Sequence, residues 1–358
     1  MRVLGIMSGT SADGADLVLA ELDGRPPKLG WKVLEHHAAP FPAGLRERVL
    51  VALHGDMQSR ALALLHHDLG RFYAQAAQPL AGRVELAALH GQTIWHEPPL
   101  TTFQIGEAAY LAEGLGCPVV ADFRPADLAL GGEAAPFVAY PDLLLYGEEG
   151  VRRAIHNIGG ISNLTYLPGL EKEGVFAFDT GPGNCLLDEA AGRLGLTHDP
   201  GGSLARKGRV DPEKAGAWLR HPYFTRKPPK STGRELWRLD NLETEGLRPH
   251  DLLATLTRFT AQSIVQAYRD FVLPGGLDEV WVAGGGAYNQ ALMEQVRAGL
   301  PVPVYTFEEK GHDSRVREAL AFAVLGYLRF LGLPNILSAV TGAKADAIAG
   351  KLLLPSPK

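Results

Sequence analysis

Three short apolar runs in this chain each end in a glycine-rich turn, and that repetition constrains the fold more than any other feature. Val3-Leu4-Gly5-Ile6-Met7 leads into Ser8-Gly9-Thr10-Ser11-Ala12-Asp13-Gly14, and Val175-Phe176-Ala177-Phe178 into Asp179-Thr180-Gly181-Pro182-Gly183-Asn184. Val280-Trp281-Val282-Ala283 leads into Gly284-Gly285-Gly286. Short apolar runs bounded by turn residues read as buried strands. Glycine lets the backbone turn sharply and approach a ligand, and free N–H groups with nearby hydroxyls can cradle phosphate oxygens. One such turn is ordinary. Three at strand ends, two of them carrying an acid and a hydroxyl, point to a nucleotide held between two halves of a molecule.

With 358 residues, 46% of them hydrophobic, the chain can bury two cores, so two domains are expected. The 35 basic and 40 acidic residues are mixed along the chain, and no basic stripe suggests nucleic acid. The stretch from Met1 to Ser8 is too short for a signal-peptide core, and Ala319 to Leu333 is broken by Gly326, Arg329 and Gly332, so it reads as a buried helix. Cys117 and Cys185 sit among apolar neighbours, as small core residues in a reducing compartment do. A cytoplasmic protein is expected.

Each half reads as an antiparallel meander followed by alternating helices and strands. Val3–Met7, Asp16–Leu22 and Trp31–Glu35 form the first meander; helices at 45–53 and 59–80 follow, then strands at 86–89 and 118–121. The second meander is 153–158, 161–167 and 175–178, followed by helices at 185–194, 254–271 and 315–331 around the strand 280–283. This order predicts an α/β fold of two similar lobes with a cleft between them. The N-terminal lobe is placed at 1–127, with 335–358 able to return to it, and the C-terminal lobe at 128–334.

Candidate chemistry clusters at strand ends. Asp179 could cap a helix or serve as a general base; Gly181-Pro182-Gly183 separates it from the helix, which leaves Asn184 as the cap and frees Asp179. His90-Gly91-Gln92-Thr93 ends a strand, and sugar contacts by Gln92 and Thr93 fit better than metal ligation. Asp122-Phe123-Arg124-Pro125-Ala126-Asp127 reads either as a local salt bridge or as an arginine placed to hold a substrate carboxylate. Lys227 to Glu235 is a solvated or anion-binding loop, and His36-His37 and His66-His67 are expected to face solvent.

These segments, in order, resemble the signatures of the anhydro-N-acetylmuramic acid kinases: Gly5 to Asp16, His90 to Thr93, Gln104 to Gly106, Val120 to Arg124, Asn157 to Asn163, Phe178 to Asn184, Pro229 to Glu235, Gly284 to Asn289 and Val340 to Ala343. The resemblance spans nearly the whole chain, with departures at Glu133-Ala134-Ala135-Pro136-Phe137 and Gly311-His312-Asp313-Ser314. It implies the actin and sugar-kinase superfamily, with two ribonuclease-H-like lobes closing on ATP, and a cytoplasmic homodimer. By the same resemblance ATP is held by Gly9, Thr10, Ser11, Ala12, Asp13, Gly14, Ala15 and Asp16 in one lobe. In the other it is held by Gly159, Gly160, Gly181, Gly183, Asn184, Gly284, Gly285, Gly286 and Asn289. The sugar falls to His90, Gln92, Thr93, Asp122, Arg124 and Lys230; Mg²⁺ is reached through water by Asp13; Asp179 is the base.

The implied substrate dictates an unusual role for that base. In a 1,6-anhydro sugar O6 lies in an internal acetal and has no proton to lose, so the carboxylate must activate a water that attacks C1, as in an inverting glycosidase. The freed O6 then takes the γ-phosphoryl group. Alternatives are a levoglucosan-type kinase, a sugar-independent phosphatase, and a non-catalytic nucleotide-binding scaffold.

Overall fold

A computed structural model describes residues 1–9, 12–55 and 57–357. The chain forms two compact units, Met1–Tyr146 with Arg315–Lys358, and Gly147–Ser314.

The first unit is built on strands β1 (Arg2–Ser8), β2 (Gly14–Arg25), β3 (Lys28–Pro40), β4 (Leu86–Glu97), β5 (Thr101–Ile105) and β6 (Val119–Ala121). β1, β2 and β3 form the antiparallel meander, β4 joins β1 in parallel, and β6 joins β4 in parallel. In β1 and β2, Leu4, Ile6, Leu17 and Leu19 point to one face and pack with Leu65, Leu69 and Tyr73 of the helix Ser59–Ala77. The helix Arg317–Phe330 lies on β1, close enough that a side chain on Gly5 would stand 1.9 Å from the Ala319 carbonyl oxygen. The sheet is thus covered on both sides, which is why its strands read as near-continuous apolar runs.

The second unit repeats the pattern with β7 (Arg153–Ile158), β8 (Ile161–Leu167), β9 (Phe176–Pro182), β10 (Glu279–Ala283) and β11 (Val304–Thr306). β7, β8 and β9 are antiparallel, while β10 is parallel to both β7 and β11. The orders β3-β2-β1-β4-β6 and β9-β8-β7-β10-β11 therefore match once β5, which pairs with β4 off this path, is set aside, and this is the ribonuclease-H-like α/β arrangement expected for each half. A last strand, β12 (Lys351–Leu353), adds antiparallel to β6.

The expected lobes divide at 127/128 and 334/335, whereas the compact units divide at 146/147 and 314/315. Residues 139–146 and 317–330 are tied within the first unit by a fully buried ion pair, in which Arg317 Nε donates to Asp142 Oδ1 at 3.0 Å. Such a pair is strongly destabilising to break, because the remaining charge stays buried. Several strands extend beyond their expected ends, and two of these extensions carry candidate site residues. β4 continues through His90-Gly91-Gln92-Thr93 because Gln92 and Thr93 pair with β5, and β9 continues through Asp179 because it pairs with Asn163 of β8. A register shift there sets Ser162 against Gly181 and Asn163 against Asp179, leaving Thr180 as an extra residue that re-aims its neighbours. Among the described residues, no helix is long and apolar enough to cross a membrane.

Candidate active site

In the second unit three glycine turns converge. The carbonyl of Gly160 accepts from Gly183 N (3.0 Å) and Cys185 N (3.1 Å), and the carbonyl of Gly159 accepts from Asn184 N (2.8 Å). A side chain on Gly183 would stand 2.3 Å from the Gly159 oxygen, and one on Gly286 would stand 2.2 Å from Ile158. Gly284 has a left-handed φ of +86° and lies against Asn157 and Ile158. These glycines are required first for backbone approach, and the amides of Gly183, Asn184 and Cys185 are satisfied within the protein rather than left for a phosphate. Asn184 does not cap its helix with its side chain; Nδ2 reaches back to the Ile158 carbonyl at 3.3 Å. Asn289 does cap, with Oδ1 accepting from Leu292 N at 3.1 Å, so its amide oxygen is occupied.

Sequence reasoning left Arg234 out of the site. Its guanidinium lies 2.5–2.9 Å from where a Cβ on Gly160 would stand, so in this position it packs directly over that glycine. The pattern Ser231-Thr232-Gly233-Arg234 in a basic loop was the available signal.

Asp179 is held on three sides. Its backbone N–H donates to Lys230 O (3.1 Å), its carbonyl accepts from the Tyr223 hydroxyl (2.6 Å), and its carboxylate Oδ2 accepts from Thr232 N (2.8 Å). Oδ1 accepts no hydrogen bond among the described residues of this unit. Burial pushes the Asp179 pKa up to about 6, against the pull of the Thr232 N–H and the Lys230 charge. A half-buried carboxylate with one oxygen fixed and one free, titrating near neutral, has the form of a general base. Lys230, expected to bind substrate, instead turns its ammonium inward to the carbonyls of Tyr223 and Phe224.

The first unit holds a different kind of site. Arg124 Nε and Nη2 approach His90 Nε2 at 3.1 and 3.0 Å, and Nη1 donates to the Ala134 carbonyl. Because Nε2 accepts, the His90 proton sits on Nδ1 and is donated to the Gly91 carbonyl at 2.7 Å. Burial and the arginine charge push the His90 pKa down to about 3, so the ring is neutral. Burial draws Arg124 down to about 10, which leaves it cationic at neutral pH. Its hydrogen-bond partners are neutral, the Glu318 and Asp127 carboxylates act on it only through space, and two of the five guanidinium N–H bonds remain for an anion.

Ala134 belongs to the segment that departs from the family pattern, and its φ of +55° is one that glycine adopts with less strain. It contributes through its backbone, since its N–H donates to the buried Asp127 carboxylate at 2.8 Å. Thr341, from the C-terminal motif, donates to the other Asp127 oxygen at 2.7 Å. Asp122 is turned toward Lys351 of β12 at 2.5 Å, so its carboxylate is already paired.

Gln92 is fully buried; Nε2 donates to the Gly9 carbonyl at 3.2 Å, while Oε1 has no partner among the described residues. Thr93 Oγ1 accepts from Gln104 Nε2 at 3.2 Å. Within the turn after β1, Thr10 and Ser11 lie outside the described residues. Ser8 is not a phosphate donor, since its hydroxyl is buried against Tyr73 at 2.9 Å. A side chain on Gly14 would strike the Ala39 carbonyl at 2.3 Å, Ala12 and Ala15 are buried, and Asp13 is exposed. Asp16 Oδ1 meets His36 Nε2 at 2.9 Å, and His66 accepts from Gly106 N, so neither histidine simply faces solvent. Among the described residues, no three His, Cys, Asp or Glu side chains gather as a metal site.

The family model for anhydro-N-acetylmuramic acid kinase matches residues 1–355. A protein of that name from Cyanothece sp. is 42% identical, covering 98% of this chain and 99% of the relative. Another from Bacillus cereus is 36% identical, covering 99% and 100%. Among solved structures, component A of the (R)-2-hydroxyglutaryl-CoA dehydratase of Acidaminococcus fermentans aligns with 91% of this chain and 98% of its own, at 14% identity and a TM-score of 0.45.

Proposed function

The chain belongs to the anhydro-N-acetylmuramic acid kinase family and is a sugar kinase, and from that premise we propose how its residues carry out the reaction. The substrate is 1,6-anhydro-N-acetylmuramic acid, the phosphoryl donor is ATP, and the products are N-acetylmuramate 6-phosphate and ADP, as in the recycling of peptidoglycan fragments. Neither a levoglucosan-type kinase nor a nucleotide-binding scaffold is favoured by the similarity to named relatives.

The observation that carries the mechanism is the Asp179 carboxylate, with Oδ2 fixed by the Thr232 N–H and Oδ1 open. Oδ1 takes a proton from water as the water oxygen bonds to C1. The C1–O6 bond breaks, and O6 attacks the γ-phosphorus as the bond from that phosphorus to ADP breaks. Placing the carboxylate before reaction supplies orientation that a free base would lack. The cation of Arg124 suits the lactyl carboxylate of the muramyl sugar, because a charge-assisted contact would use its remaining N–H bonds. His90 remains neutral and holds Arg124 in place, with Gln92 and Thr93 beside it on β4.

For the nucleotide, the glycine turns of the second unit offer close backbone approach, and because the amides of Gly183, Asn184 and Cys185 are already used, the phosphate contacts there fall to side chains. Arg234 over Gly160 adds a cation there. Mg²⁺, when bound, would neutralise charge on the β- and γ-phosphates. The exposed Asp13 carboxylate fits a contact to it through water. A cytoplasmic homodimer belongs to the same reading. A coupled ADP-release assay tests it: turnover is expected with the anhydro-muramyl sugar and not without sugar, and equal turnover in both would overturn it.

A further inference from the structure

Lys230 occupies an unusual place for a residue in a basic, proline-rich loop. It is 5% exposed, and Nζ donates to the carbonyls of Tyr223 and Phe224, each at 3.3 Å. The ammonium lies 4.8 Å from the ring centroids of both Tyr223 and Phe271 and 5.6 Å from that of Phe178. Ring faces and carbonyl oxygens together replace much of the hydration that a buried ammonium loses. The elements that build this cage also clamp Asp179. Tyr223 donates its hydroxyl to the Asp179 carbonyl, Phe178 precedes Asp179 in β9, and Lys230 itself accepts from the Asp179 N–H. Two residues on, Thr232 gives its N–H to Oδ2 while Trp237 Nε1 holds the Thr232 hydroxyl at 3.0 Å.

We propose that Lys230 is a positioning residue for Asp179 rather than a sugar ligand. Its caged ammonium locks the loop that delivers the Thr232 N–H, and places a positive charge where it favours the ionised carboxylate. The inference rests on Asp179 being the base. Four ionisable groups face the cage: Asp179 on β9, Asp270 in the helical segment Tyr268–Val272, Tyr223, and Arg226 on the same loop. Burial and Arg226 bring Lys230 down to about 8, so it is charged throughout the range in which Asp179 titrates. Without that charge the Asp179 proton should be lost at higher pH.

The test is the pH dependence of kcat and KM in wild type, Lys230→Met and Lys230→Gln. Methionine keeps the apolar stem, and glutamine keeps a donor for the two carbonyls, so whichever folds decides the question. The acid limb of kcat is expected to move up by about one pH unit. That amounts to a roughly tenfold lower rate well below the limb, recovering as the pH rises, while KM for the anhydro sugar changes less than about twofold. An unmoved acid limb, or a tenfold rise in KM at constant kcat, would overturn this role while leaving Asp179 as base. A wild-type profile with no acid limb near 6 would instead remove the base reading on which the inference rests.

Discussion

The two units use the same strand order but manage ionisable groups in opposite ways. In the first, His90 is buried, neutral and locked in one tautomer, and Arg124 stays cationic, so the pair presents a fixed charge across the neutral range. In the second, Asp179 is poised near 6 with one oxygen free, so its charge can change near neutral pH. The difference comes from partners rather than topology. Arg124 leans on neutral acceptors that do not titrate near pH 7, whereas Asp179 balances burial against an N–H donor and a nearby ammonium. A shared scaffold thus holds a fixed charge in one unit and a carboxylate able to titrate near neutral in the other.

The contrast breaks most visibly at Asp179. Asp179→Asn keeps the shape and removes the base, and kcat should fall about 10²- to 10⁴-fold with folding intact. Near wild-type turnover would place the base elsewhere.

Arg124→Met tests the fixed charge. Hydrogen bonds to charged groups contribute about 1.5–3 kcal/mol, so kcat/KM for the muramyl sugar should drop about 10- to 100-fold. An anhydro sugar lacking the carboxylate should be affected far less, and equal losses on both would deny Arg124 its anion.

The pH profile sharpens the comparison. The active form of Asp179 is the carboxylate, so its raised pKa means full activity above about 6 and a loss of about tenfold per unit well below that. His90, down at about 3, should add no second step between about pH 4 and 7. A two-step acid limb there would contradict a silent His90.

The smallest expected effects concern how the turns are held. Gly183→Ala forces a Cβ to 2.3 Å from the Gly159 oxygen and should cost about 1–3 kcal/mol in urea unfolding. Ser8→Ala in the first unit loses one buried bond to Tyr73, about 1 kcal/mol. The reverse order would mean that the converging glycine turns are the softer of the two.

Much of this was legible in the residues. Apolar runs marked the strands, the repeated meander marked two similar halves, and the acid before Gly181-Pro182-Gly183 marked Asp179. Less legible was anything fixed by contacts across long separations. Tyr223 and Thr232 reach Asp179 from 44 and 53 residues away, so no local spacing announces them. Lys230 looked like an anion-binding residue because its loop is basic, yet its cage is assembled from Phe178, Tyr223 and Phe271 on three separate segments. Ser8 looked like a phosphate donor because its loop is rich in hydroxyls, but strand alternation turns it inward to Tyr73. Asn184 does stand at the N-cap as expected, but its side chain makes no capping bond, because a nearby carbonyl, Ile158, claims the amide.

Water attack at C1, with Asp179 as its base, is tested most directly by running the reaction in ¹⁸O-water and analysing the sugar phosphate before anomeric exchange. The expected result is one solvent oxygen at C1 and none in the transferred phosphoryl group. Label confined to inorganic phosphate, with unlabelled C1, would contradict coupled ring opening and phosphoryl transfer.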